Sequence, residues 1–247
     1  MNQIEAVFEA MKKMGSYSTL GDLYRTALKI PNCIWKAKDP YANIRRIVQT
    51  NIEFFRIKPG LWGLSLQKEK ILGELGLANA HMGDETDEVR FTHSYYQGLL
   101  GQVGSLRGFN TYIPQQDKNK RFLQKKLSDV STIISLYPFT YDFLVNKAKS
   151  VDVIWFNERK LPDSFFEIEH STNITNSLLK YLNFQDFKVN FYIVADSVRE
   201  IDYKNKISQD VFRPIAKYTR FLDYDSLSKI HAKEQELSLL KERSGMK

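Results

Sequence analysis

The chain is predicted to be an α+β protein of two domains, and three changes along its 247 residues carry that prediction. Apolar residues recur at helical spacing to about residue 50 and then alternate on both sides of Pro59-Gly60, the pattern of three helices followed by a hairpin. Charge divides the chain: Lys and Arg against Asp and Glu run ten to five over residues 1–66, three to six over 67–90 and twenty-three to eighteen over 91–247. From residue 91 onward, helical stripes are interspersed with aromatic and β-branched runs, as in a mixed sheet flanked by helices.

Each element of the first body has a local cause. Ile4, Val7, Phe8 and Met11 form the stripe of a first helix, and Ser18-Thr-Leu-Gly-Asp22 supplies a cap ahead of Leu23, Tyr24, Ala27 and Leu28. Asp39-Pro40 starts a third helix carrying Ile44, Ile47 and Val48. Phe54–Leu64 is then a two-stranded hairpin turning at Pro59-Gly60. Three helices and a hairpin make a winged helix-turn-helix. Its third helix carries Asn43, Arg45, Arg46, Gln49 and Asn51, and its wing carries Arg56 and Lys58, side chains suited to base edges and phosphates of duplex DNA. Winged helices also serve as protein-binding modules.

The acidic segment over residues 67–90 is expected to be a linker, since Ala78–Glu88 is polar, contains Gly and lacks helical periodicity; an acidic loop within one domain is the alternative. The expected second domain spans residues 91–247. A helix capped by Thr92 buries Tyr96, Leu99, Leu100 and Val103, and strands follow at Phe109–Ile113, Val151–Phe156, Ser164–Glu169 and Lys188–Ala195, with a helix over Ile174–Leu182. The terminal segment, with Leu227, Ile230, Glu234, Leu237 and Leu240, is expected to be an amphipathic helix covering the sheet or meeting a second subunit.

Composition narrows the chemistry. A formal net charge of +7 suits a polyanionic partner or an acidic membrane surface. The single cysteine, Cys33, excludes an internal disulfide framework and a cysteine-rich zinc site, and is expected to be a buried apolar residue. No run of about 18 apolar residues and no basic-then-apolar leader is present, so a soluble cytoplasmic protein without a membrane anchor is expected.

The chemical signal is Glu167-Ile168-Glu169, preceded by Asp152. Positions i and i+2 of a strand share a face and lie about 7 Å apart, so Glu167 and Glu169 should project together. Adjacent carboxylates repel unless a cation separates them, and a hard divalent ion with oxygen ligands is the usual solution. An ordinary polar cluster or a degenerate site is the alternative.

The first body resembles the HARE-type winged helix-turn-helix family in Asp39-Pro-Tyr-Ala-Asn-Ile-Arg-Arg-Ile-Val and Phe54-Phe-Arg-Ile-Lys-Pro-Gly-Leu-Trp-Gly-Leu. That resemblance implies a DNA-linked role. The second domain resembles the PD-(D/E)XK nuclease superfamily, the restriction-endonuclease-like mixed-sheet α/β fold. The resemblance implies that Asp152 matches its Asp, Glu167 its following acid, and Glu169 the position usually held by Lys. Gln97 stands where an additional glutamate is often found. It also implies Mg2+ (Mn2+ substituting) held by Asp152, Glu167 and the Ile168 carbonyl, phosphodiester hydrolysis in double-stranded DNA, Glu169 as proton acceptor or metal ligand, and a homodimer for double-strand cleavage.

Other residues have two readings. His170 is expected on the opposite strand face, in a structural or DNA-contacting role. Lys118, Lys120 and Arg121 would suit phosphates or lie in a solvated loop, and Asp117 is either a further acid or part of a solvated turn. Asn176 and Lys180 share a helix face and would approach the target strand or face solvent. The expected function is a type II restriction-type endonuclease, sequence- or modification-dependent. A non-catalytic DNA-binding regulator and a structure-specific repair nuclease are the alternatives.

Overall fold

In the computed structural model, which describes residues 1–78, 85–171 and 173–245, the chain divides into residues 1–88 with 228–247 and residues 89–227. Both units mix helices and sheet.

In the first unit Asn2 caps α1 (Gln3–Lys13) reciprocally. Its Oδ1 accepts from Glu5 N at 2.8 Å, and its own N donates to the Glu5 carboxylate at 2.9 Å. Strand β1 (Tyr17–Thr19) ends in the Thr19 cap of α2 (Leu20–Ala27), and Asp39 with Pro40 opens α3 (Pro40–Thr50). Strands β2 (Phe54–Lys58) and β3 (Leu61–Leu64) turn at Gly60, whose φ of +74° a side chain would resist. The antiparallel sheet order is β1-β3-β2. Val7, Met11, Leu23, Tyr24, Ile44 and Val48 form the centre of its core, as the helical stripes predict.

Between the bodies the linker expectation needs correction. Residues 68–74 form α4 (Lys68–Glu74), and α5 (Glu85–Leu106) starts before Thr92. Acidic sequence at its start suits the positive end of a helix, so linker-like composition here opens a helix. Residues 79–84 of the expected linker lie outside the described residues.

The second unit continues from α5 through β4 (Asn110–Tyr112), a hairpin of β5 (Arg121–Phe122) and β6 (Lys125–Lys126), and α6 (Asp142–Ala148). Then come β7 (Val153–Phe156), β8 (Pro162–Glu169), α7 (Ile174–Leu182) and β9 (Asn190–Ala195). It ends with α8 (Glu200–Ile207), α9 (Arg213–Ala216), β10 (Thr219–Asp223) and the start of α10 (Tyr224–Ser244). The sheet order is β10-β9-β8-β7-β4, parallel from β8 to β10 and antiparallel from β8 to β4. Phe156, Phe165, Tyr181, Phe184 and Phe191 fill one face.

Residues 228–247 join the first unit, whereas the sequence reading places them with the second domain. The buried stripe of α10 there is Ser228, His231, Ala232, Gln235 and Leu239, while Leu237 and Leu240 are exposed. Gly21 permits this approach, because a Cβ on it would lie 2.5 Å from Gln235 Cγ. The polar stripe explains why apolar periodicity selects the wrong face. Cys33 is half-buried against the first unit's core and not fully enclosed.

Candidate active site

Strand register assembles the carboxylates. In the β7–β8 ladder Val153 faces Phe166, so Asp152, one residue before β7, arrives beside the next stretch of β8. Its Oδ2 accepts the Ile168 N–H at 2.7 Å. Glu167 and Glu169 project to the α7 side of the sheet, where Ser177 Oγ donates to Glu169 and stands 3.3 Å from Glu167. Both glutamates are buried. The shared face read from the i, i+2 spacing is therefore present.

Lys180 lies one helical turn beyond Ser177. Its Nζ stands 2.6 and 2.7 Å from the two Glu167 oxygens and donates to the Ser150 carbonyl at 2.9 Å. This pairing gives Lys180 a carboxylate partner within the site, and of the two residues read as sharing that face only Asn176 is exposed. A signal existed in the strand–turn–helix order: a helix folding back along its strand brings side chains over that strand's acids.

A second group of residues holds Asp152 from α5. His93 Nε2 stands 3.2 Å from Asp152 Oδ2, and His93 Nδ1 stands 3.2 Å from Gln97 Oε1. Gln97 Nε2 donates to the Asp152 carbonyl at 3.1 Å and to Asp117 Oδ2 at 2.9 Å. Gln97 thus orients the acid-bearing backbone. Asp117 is buried, which overturns the solvated-turn reading, and Lys120 Nζ meets it at 2.6 Å. His93 escapes the sequence reading because its relation to Asp152 is purely tertiary.

The site strains against its own charge. Burial, then the Asp152 charge, push the Glu167 carboxyl well above the usual carboxylate range, and Lys180 only partly opposes them. Glu169 is raised by burial, against the lowering hydrogen bond from Ser177. Burial alone would lower the His93 imidazole, but the hydrogen bond and charge of Asp152 outweigh it and raise it. Among the described residues, no group of three or more His, Cys, Asp or Glu side chains forms a metal cage. The oxygen donors of Asp152 and Glu167 nevertheless have the chemistry of a hard-cation site.

His170 follows the end of β8 half-buried, and its carbonyl accepts from Arg199 Nη1 at 3.2 Å. Lys118 Nζ donates to the Ile134 carbonyl at 2.5 Å. Lys118 and Lys120 thus each have a partner within the unit, while Lys120 remains exposed.

The first unit presents a different surface. A groove of about 1050 Å³ is bordered by Gln3, Asn32, Asn43, Arg46, Thr50 and Asn51. Gln3 Nε2 donates to the Ile34 carbonyl at 3.1 Å, Asn43 Nδ2 donates to Gln3 Oε1 at 2.5 Å, and Arg46 Nη2 donates to Asn43 Oδ1 at 3.2 Å. This relay fixes Asn43 and aims an exposed Arg46. Gln49 and Arg56 are also exposed. Three expected DNA contacts are instead engaged internally. Arg45 Nε donates to Tyr24 Oη at 3.1 Å, Lys58 pairs with Glu88 at 2.5 Å, and Asn51 Oδ1 accepts from Glu53 N at 2.9 Å.

A family model described as the type II restriction enzyme NmeDI C-terminal domain matches residues 75–244. The type II restriction enzyme NmeDI of Neisseria meningitidis serogroup C is 25% identical over 170 residues, covering 64% of this chain and 47% of that protein. The chain thus matches less than half the length of that relative. No solved structure matches it. Asp152, Glu167, Glu169, Gln97, His93 and Lys180 all lie inside the matched stretch.

Proposed function

Because the chain belongs over residues 75–244 to the type II restriction enzyme NmeDI C-terminal domain family, we propose that it is a restriction-type endonuclease hydrolysing phosphodiester bonds of duplex DNA. The observation that carries this reading is the seating of Asp152 on the β8 backbone beside Glu167, within the matched stretch. The β4-β7-β8-β9-β10 sheet with acids at the β7 and β8 ends supports a restriction-endonuclease-like PD-(D/E)XK fold for this unit. The β1-α2-α3-β2-β3 order supports a winged helix-turn-helix over residues 1–66, presenting Arg46, Gln49 and Arg56 to DNA.

Asp152, Glu167 and the Ile168 carbonyl would hold Mg2+, with Mn2+ as substitute. When bound, such an ion polarises the scissile phosphate and makes a nearby water easier to deprotonate. Around it the chain's own groups divide the work. Gln97 and His93 hold Asp152 in place, Ser177 orients both glutamates, and Glu169 accepts the proton of the attacking water. Lys180 supplies the positive charge that the glutamate at residue 169 cannot, standing near the phosphate oxygens that gain charge. One such site cuts one strand at a time, so double-strand cleavage calls for a homodimer.

One observation favours a rival: Lys180 already pairs with Glu167, as it would in a non-catalytic DNA-binding regulator with a degenerate nuclease-like module. Metal dependence separates the two. Purified protein incubated with Mg2+ and genomic DNAs differing in adenine and cytosine methylation should give discrete fragments, lost in Glu167→Ala. DNA binding without cutting on any substrate would overturn the nuclease reading in favour of the regulator.

A further inference from the structure

The β5–β6 hairpin concentrates cations that take no part in the acid cluster. Lys125 and Lys126 are exposed, and with Arg121, Asn119, Gln124 and Asp129 they border a groove of about 730 Å³. Lys125 and Lys126 enter no ion pair among the described residues. Arg121 and Lys126 stand directly opposite one another in the strand register. Like charges facing across a two-stranded ribbon, with Cβ atoms about 4.5–5.5 Å apart, destabilise it unless an anion is shared. Asp129, the acid in the groove, is tied to the hairpin: its Oδ2 accepts from Lys126 N at 2.9 Å and its Oδ1 from Ser128 Oγ at 3.2 Å.

The hairpin is also held rigidly. Its turn keeps Leu123 at φ +53°, a left-handed conformation that a leucine adopts only where surrounding contacts impose it. Those contacts are present: Phe122, Leu123 and Leu127 are buried, and Arg121 Nε donates to the Leu123 carbonyl at 2.6 Å. Phe122 lies directly on the α5 backbone at Gly98, where a Cβ would come within 2.1 Å of its ring. Gly98 follows Gln97, the residue that bonds Asp152 and Asp117. The cations are therefore mounted on the same helix that positions the acids.

We propose that this hairpin is a phosphate-backbone clamp, with Arg121, Lys125 and Lys126 gripping the duplex beside the scissile bond. The assignment rests on the nuclease reading and adds the hairpin to the backbone contact expected of Lys118 and Lys120. Such contacts are blind to sequence and dissolve with salt.

The test is the salt dependence of binding by the full chain to a labelled duplex in EDTA, from about 50 to about 200 mM salt. Each phosphate contact contributes about 0.9 to the slope of log affinity against log salt. Lys125→Gln with Lys126→Gln should lower the slope by about 2 on every sequence at unchanged melting temperature, and Arg121→Gln should lower it further. Lys147→Gln with Lys149→Gln, exposed lysines at the end of α6, removes the same charge and should leave the slope unchanged. An unchanged slope in the hairpin variant, or equal loss in the α6 control, overturns the clamp. In the wild type, cleavage alongside an unchanged hairpin-variant slope would sink the clamp and spare the nuclease reading. Absence of any duplex binding would sink both.

Discussion

The α3 surface of the first unit and the β8–α7 site of the second handle charge in opposite ways. Arg46, Gln49 and Arg56 are exposed, where water screens a charge and holding one costs little. Glu167 and Glu169 are buried beside Asp152, where unbalanced charge is costly and must be matched by specific neighbours. A binding surface can thus change residue by residue without unsettling the fold, whereas the acid cluster is coupled to fold, protonation and chemistry at once.

The largest expected break in that contrast is Glu167→Ala. Cleavage should fall by about 10²–10³-fold or more, as when one preorganised catalytic group is removed, while duplex affinity measured without metal stays within a few-fold. Cleavage at the wild-type rate would remove Glu167 from the site. Next is the pair Arg46→Ala and Arg45→Ala. The exposed Arg46 should cost about 1–3 kcal/mol of DNA binding with melting unchanged. Arg45, bonded to Tyr24, should instead cost about 1 kcal/mol of stability and little affinity. The reverse pattern in anisotropy and calorimetry would show that α3 presents its other face.

Two glycines sharpen the comparison further. Gly98→Ala drives a Cβ into the Phe122 ring and should destabilise the chain by about 1–3 kcal/mol, and Gly21→Ala should cost a comparable amount, because its Cβ would meet Cγ and Cβ at the root of the buried Gln235 side chain. No melting loss in Gly98→Ala would mean that the hairpin is not held as described.

The smallest effect concerns pH. Glu167 has a raised folded-state pKa, so the folded chain binds its proton more tightly than the unfolded chain does. The stability from this group is present below the unfolded carboxylate pKa and is lost as pH rises toward the raised one. Glu167→Gln should remove that loss, raising the melting temperature in metal-free buffer near neutral pH by about 2–4 °C for each 1 kcal/mol regained, and by little under acid conditions. A melting difference that grows toward acid pH would show that Lys180 dominates Glu167 after all.

Much of this arrangement was legible in the chain. The stripes of α1, α2 and α3, the Pro59-Gly60 turn, the cap at Asp39 and the paired faces of Glu167 and Glu169 follow from local periodicity and backbone preference. The start of α5 at Glu85 was not, because acids that favour a helix N-terminus also fill linkers. The burial of Asp117 and the role of His93 were not legible either, since each depends on an element distant in sequence, whereas for Lys180 the strand–turn–helix order carried a signal.

The sequence by itself determined the helices and hairpin of the first body, the strands that carry the acids and the helix after them, because those depend on spacing of 2 and about 3.6 residues and on neighbours a few positions away. The tertiary structure decided which charges are engaged. Register set Asp152 against Ile168, the return of α7 set Lys180 on Glu167, and Gly98 let Phe122 hold a basic hairpin against the helix that carries Gln97. The physical reason is that the energy of a charge depends on burial and on partners within a few ångströms, and only the folded chain brings those together.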